Sequence, residues 1–146
     1  MAKTAQSTAT KQLPILVKDY MTQYHLPFTC GTPLKVVLDR LMRDHLSGLP
    51  VINENKEVIG FVSEQDCIKQ VLQSSYFCDQ NAIVNDVMRT DVLTVSPNQD
   101  IINLAQQMID HKPKVYPVVE NNRLVGLITR TDILRALAEN MTSCVF

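Results

Sequence analysis

The chain repeats itself, and that limits the folds open to it more than any other feature. Asp19 and Met21 return as Asp86 and Met88, and Pro50-Val51 returns as Pro117-Val118, each 67 residues further on. Gly60 and Asp66 return as Gly126 and Asp132, 66 residues on. One residue is therefore missing between Val51 and Gly60, where the first copy reads NENKE and the second ENNR. Both stretches have turn composition, and an exposed turn is where a deletion does least harm. A period of this length marks two copies of one supersecondary unit.

Each copy carries the same order of signals. LKVVLDRLMRDHL places Leu34, Val37, Leu38 and Leu41 on one helical face, and DIINLAQQMIDH does the same with Ile101, Leu104, Ala105 and Met108. Thr32-Pro33 and Ser96-Pro97 mark the approaches to these helices. LPVINENKEVIGFV and YPVVENNRLVGLI read as hairpins, with Pro50 and Pro117 expected at the start of the first strand. DCIKQVL and DILRALAEN read as second helices, and short strands are expected near Phe28–Thr29 and Leu93–Val95. The predicted fold class is α+β: two strand-helix-strand-strand-helix repeats packed sheet to sheet with pseudo-twofold symmetry. A repeat of about 60 residues buries too little apolar surface to be secure alone. The expected organisation is a flexible tail over 1–13, a first repeat with linker over 14–78 and a second over 79–146, forming one compact module.

Composition narrows the function. The 146 residues are 45% hydrophobic and 20% charged, with a formal net charge of -1, so nothing draws the chain broadly to nucleic acid or an anionic membrane. No apolar run approaches the roughly 18–20 residues of a membrane span, and MAKTAQSTATKQ lacks the apolar core of a signal peptide. Cys30, Cys67, Cys78 and Cys144 are far apart and read as reduced thiols of a cytoplasmic protein. The histidines (His25, His45, His111) form no metal-ligand spacing, and no nucleophile elbow, HExxH or Walker loop is present, so an enzyme is not expected.

The chemistry concentrates in Gly-Phe-Val-Ser-Glu-Gln-Asp, residues 60–66, and its second copy Gly-Leu-Ile-Thr-Arg-Thr-Asp, residues 126–132. Ser63 with Asp66, and Thr129 with Asp132, have the spacing of a capping box at the start of a helix. The same geometry fits a ligand. A helix N-terminus and a hydroxyl attract phosphate, while an ionised carboxylate at the third helical position accepts hydrogen bonds from a ribose diol. Gly60 and Gly126 permit close approach to the backbone, or mark a bulge. A base would lie against Ile128 or Val62 where the copies meet. Spacing alone leaves cap and ligand site open.

The order DYM…LPV…VIGFVSEQD, then DVMRTDVLTVSP…YPVV…LVGLITRTD, resembles a tandem pair of CBS domains, a Bateman module, over roughly residues 14–140. The resemblance implies a regulatory module that binds an adenosyl ligand (AMP, ADP or ATP, in some members S-adenosylmethionine or NAD-type molecules) between the repeats. It gives Asp66 and Asp132 to ribose, and Ser63 and Thr129 to phosphate. It places Gly48 and Leu49, or Val115 and Tyr116, around the base, with Phe28–Thr29 or Thr94–Val95. It also implies a homodimer formed through the helices, and an unidentified effector protein; a ligand-free dimerisation module is the alternative. Since the pair takes nearly the whole chain, the expectation is that it acts on a separate partner or is a piece of something longer. The copies differ in charge. Arg130-Thr131 stands where the first copy has Glu64-Gln65, and Lys112 and Lys114 stand where it has His45 and Ser47. On charge, the Asp132 site is expected to be the better one, by roughly 1 kcal/mol.

Overall fold

The computed structural model describes residues 14–23, 25–73, 81–110 and 113–141. The first copy forms β1 (Phe28–Thr29), α1 (Leu34–Asp44), β2 (Gly48–Ile52), β3 (Val58–Ser63) and α2 (Glu64–Gln73). The second forms α3 (Ile101–Asp110), β4 (Val115–Glu120), β5 (Arg123–Thr129) and α4 (Arg130–Asn140). The duplicated pattern thus folds as the repeat predicts. The expected strand at Leu93–Val95 reduces to one parallel bridge between Val95 and Val118, the counterpart of the Phe28–Val51 pairing in the first copy. Residues 74–80, most of the expected linker, and Lys112 lie outside the described residues.

The missing residue falls where the turn composition placed it. In the second copy Asn121 and Asn122, with φ of 53° and 67°, close a two-residue hairpin between the paired Glu120 and Arg123. Both central residues with positive φ make the tight turn that matches strand twist, and asparagine tolerates that region. The first copy takes the longer route, in which Asn53 Oδ1 accepts the N–H groups of Asn55 and Glu57.

Pro50 and Pro117 sit third in their strands rather than at the start. Phe61, opposite Pro50, exchanges both its backbone hydrogen bonds with Arg89, and Leu127, opposite Pro117, does so with Thr22. Neither strand therefore asks its proline for an N–H, which removes the usual objection to proline there.

Those two bridges also show how the copies are joined. The segment before the first copy carries a short 3-10 turn, Val17–Asp19, whose Val17 packs with Ile101, Leu104, Tyr116 and Ile133 in the core of the second copy. The segment before the second copy carries the matching turn, Val84–Asp86, and Val84 packs with Phe28, Val37 and Val62 in the core of the first. Asp19 and Asp86 secure these turns by accepting the N–H of Leu16 and Ile83. Each core is thus completed by the other copy's leading segment. The hairpins meet as well: Glu57 bridges Arg123, its own counterpart, and Leu124 N–H donates to the carbonyl of Lys56 at 2.9 Å. A contact between equivalent positions lies on the pseudo-twofold axis.

Candidate functional site

At the end of β5, Thr129 has extended backbone and α4 begins at the next residue. Asp132 Oδ2 accepts from Thr129 N–H at 2.9 Å and from the Thr129 hydroxyl at 3.0 Å, while Asp132 N–H donates to Oγ1 at 3.1 Å. Asp66 and Ser63 repeat the arrangement at 3.2, 2.8 and 3.1 Å. The expected capping boxes are both present. Each hydroxyl already donates its one hydrogen bond to the carboxylate, and the first helical N–H, of Glu64 and Arg130, donates to the carbonyl of Ser47 and Lys114. An incoming phosphate would have to turn the hydroxyl proton away from the box.

The second carboxylate oxygens separate the copies. Asp66 Oδ1 accepts from Arg89 Nε at 3.2 Å, and Asp132 Oδ1 accepts from Arg135 Nη2 at 3.1 Å. Arg135 belongs to the same helix as Asp132 and also lies over the ring of Tyr20, 5.2 Å from its centroid. Arg89 comes instead from the leading segment of the second copy, and its side chain is 59% exposed. Arg89 is the functional candidate that the sequence reading passed over. The signal was available: at the offset that aligns Asp19 with Asp86, Arg89 stands where the first copy has Thr22. Glu64 and Arg130, on which the charge comparison relied, are both exposed.

The close approach at the glycines is made by the chain itself. A Cβ on Gly60 would stand 2.5 Å from Met88 Sδ and 2.9 Å from the carbonyl oxygen of Arg89; one on Gly126 would stand 2.9 Å from Met21 Sδ and 3.0 Å from the carbonyl oxygen of Thr22. Both glycines also adjoin a register shift in their hairpin. Tyr116 and Ile128, paired across the hairpin, are buried in the core of the second copy, as is Val95. Val115 pairs with Thr129 and so lies beside the capping box.

Thr94 is exposed and lines an open cavity of about 410 Å³. Its other walls are Glu57, Val58, Ile59, Thr90, Val92, Val119 and Asn122, so residues at the start of β3 face the leading segment of the second copy. Neither capping-box aspartate lines it. Among the described residues no group of three or more histidine, cysteine, aspartate or glutamate side chains is placed to hold a metal ion. No described helix is long and apolar enough to cross a membrane.

A duplicated hairpin with a capped helix start, completed by exchanged leading segments, defines a class of paired-repeat folds. The CBS domain family matches residues 17–73 and 84–139, and the chain belongs to that family. Among solved structures it resembles AcuB of Vibrio cholerae, a protein assigned to acetoin utilization, with a TM-score of 0.81 and 26% identity over 92% of this chain and 99% of that one. It also resembles CBSX2 in complex with AMP, with a TM-score of 0.73 and 26% identity over 85% and 96% of the two chains. In sequence it is 33% identical over 122 residues to a homoserine O-acetyltransferase of Methanococcoides burtonii, covering 83% of this chain and 24% of the enzyme. It is 30% identical over 109 residues to an uncharacterized protein of Methanopyrus kandleri, covering 72% of this chain and 55% of that protein. The chain thus spans between about a quarter and just over half of these two relatives, and the acetyltransferase reaction named for the first is not carried over to it.

Proposed function

We propose that the chain is a regulatory module that binds an adenine nucleotide of the AMP, ADP or ATP type between its repeats, and that it signals to a separate effector protein. The observation that carries this reading is the twice-built constellation of a hydroxyl, a helix start and a carboxylate whose outer oxygen meets only an arginine in partial contact with solvent. Such an oxygen suits a ribose hydroxyl, and such an arginine suits a phosphate. Support comes from the AMP complex of CBSX2, 26% identical to this chain. Ser63 with Asp66, and Thr129 with Asp132, are the two places where a ribose and a phosphate can dock. The module is not an enzyme and needs no cofactor, and it works in the cytoplasm, where Cys30 and Cys67 stay as the free thiols seen here.

The helices supply the route to a partner. Ile68 and Leu72 on α2, Ile102 and Ile109 on α3 and Leu134 on α4 are all exposed. Apolar side chains repeated on outward helix faces favour association with a second copy. A nucleotide then acts by favouring one arrangement of that dimer over another.

The full chain should respond to at least one of AMP, ADP, ATP, S-adenosylmethionine or NAD in titration calorimetry and in a melting-shift assay. No response at millimolar ligand would reject the sensor. It would favour a ligand-free dimerisation module, a reading that already draws on the complete internal pairing of both aspartates.

A further inference from the structure

We infer that the working ligand cleft is the Asp66 one, and that Arg89 is its phosphate-recognising residue, released from Asp66 when a nucleotide binds. This rests on the nucleotide-binding reading above and specifies which copy carries it. Charge in the helix starts favours Asp132, but three features of the tertiary structure favour Asp66.

The first is the cavity. Its 410 Å³ or so is within the range of small-molecule pockets, and it lies between the start of β3 and the segment Thr90–Thr94. Those are the two stretches that the Phe61–Arg89 bridge ties together, and Thr90 directly follows Arg89. The walls formed by Ile59, Val92 and Val119 are apolar, whereas Thr90, Thr94 and Glu57 offer hydroxyl and carboxylate partners and no cation. That set suits a neutral heterocycle with amino groups and repels phosphate, so the anionic end of a nucleotide must lie outside the cavity.

The second feature is what stands outside it. Arg89 touches Asp66 at 3.2 Å with its own side chain 59% exposed, so the guanidinium can reorient into solvent once another donor takes its place on the 10%-exposed carboxylate. A nucleoside monophosphate satisfies both partners at once: a ribose hydroxyl donates to Asp66 Oδ1 in place of Nε, and the guanidinium fork takes two phosphate oxygens. The third feature is the contrast with Arg135. That side chain is held by Asp132 and by the face of Tyr20 together, so releasing it gives up two contacts.

The exchange is local to the side chain: the Arg89 backbone stays paired with Phe61, beside Val84 and Met88 packed against the core of the first copy.

The test is calorimetry of AMP and adenosine binding to the full chain and to its Arg89→Ala variant. The side chain is largely solvent-facing, so the variant retains the backbone pairing with Phe61. Arg89→Ala should weaken AMP about tenfold and leave adenosine within about twofold, and Asp66→Asn should weaken both. Equal losses for AMP and adenosine in Arg89→Ala, or no loss for AMP, would overturn the inference while leaving the nucleotide reading intact. So would AMP binding lost in Asp132→Asn and kept in Asp66→Asn. Failure of the wild-type chain to bind either compound would reject the nucleotide reading itself, and this inference with it.

Discussion

Thr22 and Leu127 exchange both backbone hydrogen bonds, at 2.8 and 2.9 Å, across the whole length of the duplication. Arg89 and Phe61 do the same at 2.8 and 2.9 Å. Each leading segment therefore adds a one-residue antiparallel bridge to the edge of the other copy's hairpin, and the two copies cannot part without breaking both bridges. The glycine beside each bridge is what allows the segment to lie so close.

Alanine at Gly60 should destabilise the protein by roughly 1–3 kcal/mol, the usual cost of overpacking, and more than alanine at Gly126. The added methyl would meet Met88 Sδ at 2.5 Å and the Arg89 carbonyl at 2.9 Å, against 2.9 and 3.0 Å for the equivalent atoms at Gly126. Urea unfolding of both variants checks the order. Met88→Ala in the Gly60→Ala background should recover part of the loss, because the thioether is one of the two obstacles.

Stability should fall in alkaline solution through Cys67. Burial first, and then the negative charges of Asp66 and Glu64, push its thiol from an ordinary 9.0 up to about 11. A raised acid leaves stability intact below the unfolded value and removes it as pH climbs from about 9 towards about 11, because the unfolded chain ionises first. The full loss is of order 2–3 kcal/mol at about 1.4 kcal/mol per pH unit. Unfolding curves of wild type and Cys67→Ala, in reductant between pH 8 and 11, should converge as pH rises.

Tyr116→Phe should be neutral or stabilising by up to about 1–2 kcal/mol, since it removes a buried hydroxyl and not a contact. The ring is 1% exposed, and its hydroxyl has no hydrogen-bond partner among the described residues. Burial also raises its pKa. Clear destabilisation in thermal melts would mean that the hydroxyl has a partner, such as a buried water.

If the exposed helix faces mediate the proposed dimer, Leu72→Glu combined with Ile109→Glu should yield a folded monomer. Both side chains are at least 70% exposed, so the charges cost the single chain little. Sedimentation velocity on wild type and variant, with circular dichroism as the folding control, decides it. A wild type that is itself monomeric would reject the dimer.

Much of this was legible from local chemistry. The period of Leu34, Val37 and Leu41, the turn asparagines and the spacing of Thr129 to Asp132 each act within a few residues, so the sequence displays them directly. Arg89 was not legible in that way. Its partner lies 23 residues upstream, and the bridge to Phe61, with Val84 packed in the first core, brings the two carriers together. Tyr116 was expected around the base from the family resemblance, and Ile128 from its place where the copies meet; neither argument includes the packing each side chain finds on folding. The core of the second copy holds both.

The sequence by itself determined that there are two copies, what elements each contains, and that each ends in a hydroxyl-carboxylate cap, because periodicity and capping are short-range physics. Only the tertiary structure decided that the copies exchange their leading segments, that those segments fill the space beside Gly60 and Gly126, and that Arg89, carried by such a segment, meets Asp66. Those outcomes depend on which surfaces meet when two hairpins close over a shared axis, and residues far apart in the chain carry no local signal of that meeting.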